Sequence, residues 1–174
     1  MTDSDTTLRS VYIWIGEGTW RAAVDAALSL APAGARFTLL HVTSPAAADA
    51  AHGAYRGLLG RAGPDPGERL EVLASVSAAE VIEAAERRLG RPCDRLEILG
   101  SAERAVVAAS ADADLLIVAR DGDRSRLGPK SLGKATRFVV DHAACPVLLV
   151  WPEAAPDVRT IPPPPPHHPH HGGR

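Results

Sequence analysis

The part of the sequence best suited to binding or chemistry is the segment from residue 119 to residue 134. It holds three glycines, and its five basic residues are Arg120, Arg124, Arg126, Lys130 and Lys134. The segment leads from an apolar strand pattern into a helix pattern. A helix N-terminus presents unpaired N–H groups and the positive end of the helix dipole, which attract anions such as phosphate. We therefore predict a phosphate-binding loop here, with an ordinary solvated surface loop as the alternative.

The sequence gives weaker evidence for a catalytic centre than for a phosphate-binding loop. His41 has no recognisable serine, cysteine or aspartate partner. Asp121 and Asp123 lie in a run of alternating charge, which is typical of solvated loop residues. We therefore expect a binding protein rather than an enzyme. The alternative is a slow nucleotide hydrolase or phosphotransferase, in which Arg120 and Lys134 stabilise the transferred phosphate and one of the aspartates holds Mg²⁺.

Composition argues against several other classes of protein. The 19 Lys and Arg residues are balanced by 21 Asp and Glu, whereas binding to nucleic acid requires clustered basic side chains. No stretch approaches the roughly 18 apolar residues of a membrane helix, and the first ten residues show no secretory signal. The two cysteines, Cys93 and Cys145, match no zinc-binding spacing and suit a reducing compartment. We expect a cytoplasmic protein that binds neither nucleic acid nor a membrane.

The chain divides into one folded region and two terminal segments. We predict a flexible N-terminus over residues 1–8, a folded domain over 9–152, and a disordered tail rich in proline and histidine over 153–174. Five consecutive prolines, Pro162–Pro166, favour an extended polyproline II conformation that a protein partner could bind. Four tail histidines could hold Zn, Ni or Cu, because neutral imidazole suits those ions. They are His167, His168, His170 and His171.

The folded region alternates short apolar strands with alanine-rich helices. The predicted strands cover residues 11–15, 35–42, 96–99, 114–119 and 146–150. Strands that are apolar almost throughout are typical of a parallel sheet covered by helices on both faces, so we predict a doubly wound α/β domain. In the least regular part of the chain we predict a helix over 45–59, a loop over 63–67 and a new helix capped by Ser77 and Glu80.

Several segments of the sequence resemble the universal stress protein family. The resemblance spans about residues 10–151. It is strongest in residues 100–109, in 113–118 and in the closing Asp-His-Ala-Ala-Cys-Pro-Val-Leu-Leu-Val pattern of residues 141–150. It implies a five-stranded parallel sheet, flavodoxin-like or Rossmann-like, in the order 3-2-1-4-5. It also implies a homodimer that forms through strand five, over Pro146, Val147, Leu148, Leu149 and Val150.

One branch of that family binds ATP through a Gly-x2-Gly-x9-Gly-Ser/Thr motif after strand four, aided by an aspartate after strand one. This chain has Ala119 at the first glycine, Gly122 at the second, ten intervening residues before Gly133, and Lys134 at the hydroxyl position. Gly16 stands at the aspartate position, where Glu17 could substitute. The resemblance implies candidate nucleotide-binding residues at Gly16, Glu17, Val42, Ala119, Arg120, Gly122, Gly133, Lys134 and Ala135.

These observations lead to one expected function and two alternatives. We expect a non-catalytic regulatory domain of the stress response that binds ATP or a related nucleotide after strand four, with Mg²⁺ if ATP is bound. One alternative is the slow hydrolase or phosphotransferase described above. The other is an interaction module that binds no nucleotide and recruits a partner through its C-terminal tail.

Overall fold

The structure is a computed structural model that describes residues 8–46, 49, 50, 53 and 66–163. In chain order its elements are β1 (Ser10–Trp14), α1 (Trp20–Leu30), β2 (Arg36–Thr43), α2 (Pro66–Leu89), β3 (Cys93–Leu99), α3 (Ala102–Ala109), β4 (Leu115–Ala119), α4 (Lys134–His142) and β5 (Val147–Val150). Short 3₁₀ helices cover Pro129–Ser131 and Val158–Thr160. Within these described ranges, no helix is long and apolar enough to cross a membrane.

The five strands form one parallel sheet in the order β3-β2-β1-β4-β5. This confirms the predicted fold class and strand order. The central strand β1 places Ile13 between Leu39 of β2 and Ile117 of β4. All three side chains are fully buried or nearly so, as a sheet covered on both faces requires.

Alternate residues of each strand face two different helix layers. One core lies under α1 and α2, where Ile13 and Leu39 pack with Val24 and Ile82. The other core lies under α3 and α4, and its buried residues include Leu116 and Val139. The helices therefore lie on both faces of the sheet, as the apolar strands predicted.

The second helix differs from the sequence prediction. It is continuous from Pro66 to Leu89, so the predicted cap at Ser77 is wrong and Ser77 lies inside the helix. Proline is tolerated at the first helical position because its missing N–H would have no partner there, so Pro66 starts the helix instead of ending it. Most of the helix predicted over 45–59, and residues 63–65 of the predicted loop, lie outside the described residues.

The start of the predicted tail lies against the domain. The Leu127 amide donates to the Thr160 hydroxyl over 3.0 Å, and Arg124 pairs with Glu153 at 3.3 Å. Residues 153–163 are largely exposed, and these contacts link them to the loop after β4. Residues 164–174, which include all four tail histidines, and residues 1–7 lie outside the described ranges.

At the edge opposite to the strand carboxyl ends, one carboxylate links β1 to the start of β4. Asp114 accepts hydrogen bonds from the backbone amides of Arg9 and Ser10, both over 2.8 Å. These two bonds to the charged form, from Arg9 first and then Ser10, lower the pKa of Asp114. The interaction satisfies two amides at the point where the central strand begins.

We expect Asp114→Asn to lower the melting temperature, because the amide that replaces the carboxylate accepts these bonds more weakly. A carboxyl with a lowered folded-state pKa contributes stability above its unfolded-state pKa and loses it as the pH falls through the folded-state value. The difference between wild type and Asp114→Asn should therefore shrink in denaturant titrations as the pH falls below the ordinary pKa of an aspartate, about 4. Asp112→Asn, at an exposed neighbouring carboxyl, is the control. Equal effects of the two substitutions at every pH would contradict the assignment.

Candidate functional site

A cavity of about 690 Å³ opens at the carboxyl ends of β1, β2 and β4. In an open parallel sheet, this edge at the change in strand direction is the usual place for a ligand. Its volume lies within the range of small-molecule sites. The residues that line it are Trp14, Ile15, Gly16, Glu17, Thr19, His41, Val42, Thr43, Ser44, Leu70, Leu73, Ala74, Ser77, Ala78, Val81, Ala102, Ala119, Asp121 and Thr136.

The turn after β1 forms the first wall of the cavity. The Gly16 carbonyl accepts from the amides of Thr19 and Trp20, at 3.2 and 3.1 Å, and α1 begins there. A side chain on residue 16 would begin 3.0 Å from the Thr19 hydroxyl, so the turn is compact enough to favour glycine. Gly18 has a φ of 72°, which glycine adopts without strain. The turn leaves the Glu17 side chain exposed at the cavity.

One hydrogen bond of His41, at the end of β2, identifies which of its ring nitrogens carries a proton. Its Nδ1 lies 2.9 Å from the Ile15 carbonyl oxygen. Because a carbonyl only accepts, Nδ1 carries the proton and donates. In the neutral ring, Nε2 is then an acceptor. His41 is half-buried and lines the cavity, so it offers a polar group to a ligand.

One face of α2 forms the apolar wall. Leu70, Leu73, Ala74, Ala78 and Val81 recur at the three- and four-residue spacing that puts side chains on one side of a helix, and all five line the cavity. Leu73 remains 64% exposed. An apolar wall opposite a few polar groups is the arrangement that holds a flat organic ring.

The loop after β4 folds back on itself. The Gly122 amide donates to the Ser131 carbonyl over 3.0 Å, and the Asp123 amide donates to the Lys130 carbonyl over 2.8 Å. A side chain on residue 122 would overlap the carbonyl of Lys130 and lie 2.7 Å from the carbonyl carbon of Ser131. Glycine is therefore required at 122 for this close backbone contact.

Asp123 stabilises the outer turn of the loop. One of its carboxylate oxygens accepts from the hydroxyl and the amide of Ser125, at 2.6 and 3.0 Å. The other accepts from Nε of Arg126 over 2.9 Å. The two Ser125 bonds and then the Arg126 bond lower the pKa of Asp123 to about 2. Asp123 is thus a structural residue of the loop and does not line the cavity.

Asp121 lies between the cavity and the start of α4. Its Oδ1 accepts from the amide of Gly133, the N-cap of α4, over 2.7 Å. A side chain on residue 133 would collide with this carboxylate, because its first carbon would lie 2.8 Å from Oδ2. The sequence interpretation of Asp121 as a solvated loop residue missed this bond, which joins residues twelve positions apart.

The two basic residues expected at a phosphate do not belong to the cavity lining. Arg120 donates to the Ser131 hydroxyl, and its guanidinium lies 4.6 Å from the centroid of the Trp151 ring. The buried Nε of Arg120 has no hydrogen-bond partner. Lys134 is exposed at the first position of α4. Neither residue lines the cavity.

Four of the nine predicted nucleotide-binding residues, Gly16, Glu17, Val42 and Ala119, line the cavity. The other five lie in or beside the folded loop, outside the lining. They are Arg120, Gly122, Gly133, Lys134 and Ala135. The α2 wall was not predicted, although the spacing from Leu70 to Val81 was a usable signal. In the described part of the chain no three His, Cys, Asp or Glu side chains are grouped to hold a metal ion.

The predicted dimer strand lies at one edge of the sheet. Val147, Leu148, Leu149 and Val150 are all half-buried. The carbonyls of Pro146 and Val150 accept from the amides of Leu116 and Arg120. In a parallel strand the bonding side alternates, so the backbone groups of Val147 and Leu149 point to the open edge.

Solved structures with a similar fold include several universal stress proteins. One, from Lactobacillus plantarum, is 18% identical with a TM-score of 0.56, covering 82% of this chain and 97% of that one. A universal stress protein in complex with cAMP is 19% identical, TM-score 0.53, covering 84% and 99%. An Arabidopsis thaliana family protein with AMP bound is 17% identical, TM-score 0.52, covering 84% and 93%.

A search of curated proteins finds none that matches this sequence. The sequence profile of the universal stress protein family, by contrast, matches residues 16–150. This range extends from the turn after β1 to the last residue of β5, and so includes every residue that lines the cavity except Trp14 and Ile15. The chain belongs to the universal stress protein family.

Proposed function

We propose that this chain is a regulatory domain of the stress response that binds an adenine nucleotide or nucleoside in the cavity beyond β1, β2 and β4. The observation that carries the proposal is the cavity itself, with an apolar wall on α2 and polar groups at the strand ends. The solved relatives with AMP and with cAMP support an adenine ligand, since they share the fold.

The parts of an adenine nucleoside match the chemistry of the two walls. Leu73, Ala74 and Val81 present an apolar surface for the flat base. Glu17 and His41 lie at the strand ends, where a carboxylate and a neutral imidazole nitrogen accept hydrogen bonds from ribose hydroxyls or a base amine. An acidic residue that binds a ribose hydroxyl is a recurring feature of nucleotide sites in such sheets.

The proposed role is binding without turnover. Asp123, one of the two carboxylates that the enzyme alternative would use for Mg²⁺, is bonded to Ser125 and Arg126. The carboxylate of Asp121 accepts from the Gly133 amide. ATP with Mg²⁺ is nevertheless among the ligands to test, because the family resemblance suggests it.

We also propose a homodimer formed through β5. The strand leaves the backbone groups of Val147 and Leu149 at an open edge, and its apolar side chains are only half-buried. A second copy of the chain would pair with these backbone groups and cover the side chains, which removes the exposed edge.

The cavity proposal predicts that Ala74→Phe abolishes ligand binding. Ala74 is half-buried on the apolar wall, and a phenyl ring there would fill space that the base needs. We expect affinity for adenosine and AMP, measured by calorimetric titration of the full chain, to fall by more than about tenfold. Ala108→Phe, at an exposed position of α3 away from the cavity, should bind as the wild type does.

Two results of this titration would contradict the proposal. One is the absence of binding by wild type to adenosine, AMP, cAMP and ATP alike. The other is a loss of affinity that is equal in Ala74→Phe and Ala108→Phe. Chromatography of the ligand after prolonged incubation tests the proposed lack of turnover, and recovery of a hydrolysed or transferred product would favour the enzyme alternative.

The dimer proposal predicts that Leu149→Lys yields a monomer. A lysine on an edge strand opposes pairing with another strand because its charge would be buried against the partner. Sedimentation equilibrium should give twice the chain mass for wild type and the single chain mass for the variant. Val140→Lys, at a 37% exposed position of α4, should remain dimeric. A wild-type chain that is monomeric at all concentrations would refute the proposal.

A further inference from the structure

The charges around the cavity are unfavourable for a ligand with several phosphates. The described residues that line it include the carboxylates of Glu17 and Asp121 and no lysine or arginine. A nucleoside triphosphate needs cationic groups or free N–H donors around its phosphates. The lining offers two negative charges in the same space.

Asp121 occupies the place where the family resemblance predicts a phosphate. Its carboxylate accepts from the Gly133 amide at the start of α4 over 2.7 Å. Negative charge at a helix N-terminus is stabilised by the helix dipole, whether it comes from a ligand or from the protein. A phosphate at this position would have to displace a carboxylate that already makes the favourable contact.

Several backbone amides of the loop already have acceptors. Those of Gly122 and Asp123 donate to the carbonyls of Ser131 and Lys130. Further along, the amides of Ser125, Leu127, Ser131, Leu132 and Gly133 donate to Asp123, Thr160, Gly128, Pro129 and Asp121, respectively, over 2.7–3.2 Å. A phosphate site made of backbone N–H groups needs free donors, and these seven amides already donate to acceptors of the protein.

The arginines of the loop are likewise held by other groups. Arg124 pairs with Glu153 at 3.3 Å, and Arg126 pairs with Asp123 at 2.9 Å. Arg120 binds the Ser131 hydroxyl and lies over Trp151. The loop therefore carries a basic composition without directing these three arginines at the cavity.

We infer that Asp121 determines the ligand specificity of this cavity and makes it select nucleosides without phosphate groups over nucleotides with several. This inference rests on the proposed function for the adenine part of the ligand. It departs from the ATP site that the family resemblance implied, because the lining holds two carboxylates and no lysine or arginine, and Asp121 already binds the Gly133 amide. The hydroxyls and amine of a nucleoside, in contrast, are donors that suit the acceptors Glu17, His41 and Asp121.

The test compares adenosine, AMP and ATP on the full chain by calorimetric titration, with EDTA and then with Mg²⁺. For wild type we expect adenosine to bind best and ATP weakest. The affinities for the two should differ by at least about tenfold, because the carboxylates of the cavity and the phosphates of ATP repel each other near the surface. Asp121→Asn keeps an oxygen that can accept from the Gly133 amide but removes the charge. In this variant the adenosine-to-ATP ratio should fall toward one. Asp141→Asn removes the same charge from the exposed far end of α4 and should leave the ratio unchanged.

Wild-type protein offers a second measurement that needs no variant. Salt screens repulsion between exposed charges, so ATP affinity should rise with salt concentration while adenosine affinity stays constant. Tighter binding of ATP than of adenosine, with or without Mg²⁺, would overturn the inference, and so would a ratio that Asp121→Asn does not change. In either case the proposed function would stand. If neither wild type nor Asp121→Asn binds any of these three ligands or cAMP, the proposed function fails and the inference falls with it.

Discussion

The constraint on which this structure depends is that five parallel strands, buried on both faces, must all be joined by crossovers. Each crossover brings the chain back to the same starting edge, so the loops after β1, β2 and β4 meet at the opposite edge. The core under α1 and α2 and the core under α3 and α4 hold the strands in register. The cavity is a consequence of this topology, because loops that diverge to opposite faces leave a space between them.

The loop after β4 satisfies several of its backbone groups with acceptors from the protein. Gly122 permits a close approach to Lys130 and Ser131, and the resulting pair of hydrogen bonds closes the loop. Asp123 stabilises the outer turn of the loop through its bond to Ser125. The hydroxyl of Thr160, from the C-terminal segment, accepts from the amide of Leu127. Buried or half-buried amides need acceptors in any case. Here the protein itself supplies them.

The strands and the position of the site could be predicted from the sequence because they depend on local patterns. The apolar runs around Ile13 and Ile117 and the glycine turn at Gly16 are visible without any long-range information. The start of α2 was missed because Pro66 was interpreted as a break when it is the first helical residue. The contacts of Asp121 with Gly133 and of Thr160 with Leu127 join residues twelve and thirty-three positions apart. Single-sequence patterns carry no signal for such pairs.

The loop after β4 is rich in basic residues, yet it places no lysine or arginine in the cavity lining, and the reason is physical. Basic residues predict anion binding only if their side chains reach the anion. Here Arg124 pairs with Glu153 and Arg126 pairs with Asp123, so these two charges are already neutralised by carboxylates of the protein. At the same time the carboxylate of Asp121 accepts from the Gly133 amide at the positive end of α4. The described lining of the cavity therefore carries two carboxylates and no lysine or arginine. The proposed selectivity would let a member of this family keep the sheet, the cavity and two of the three glycines of a phosphate loop while the site binds the uncharged part of a nucleotide.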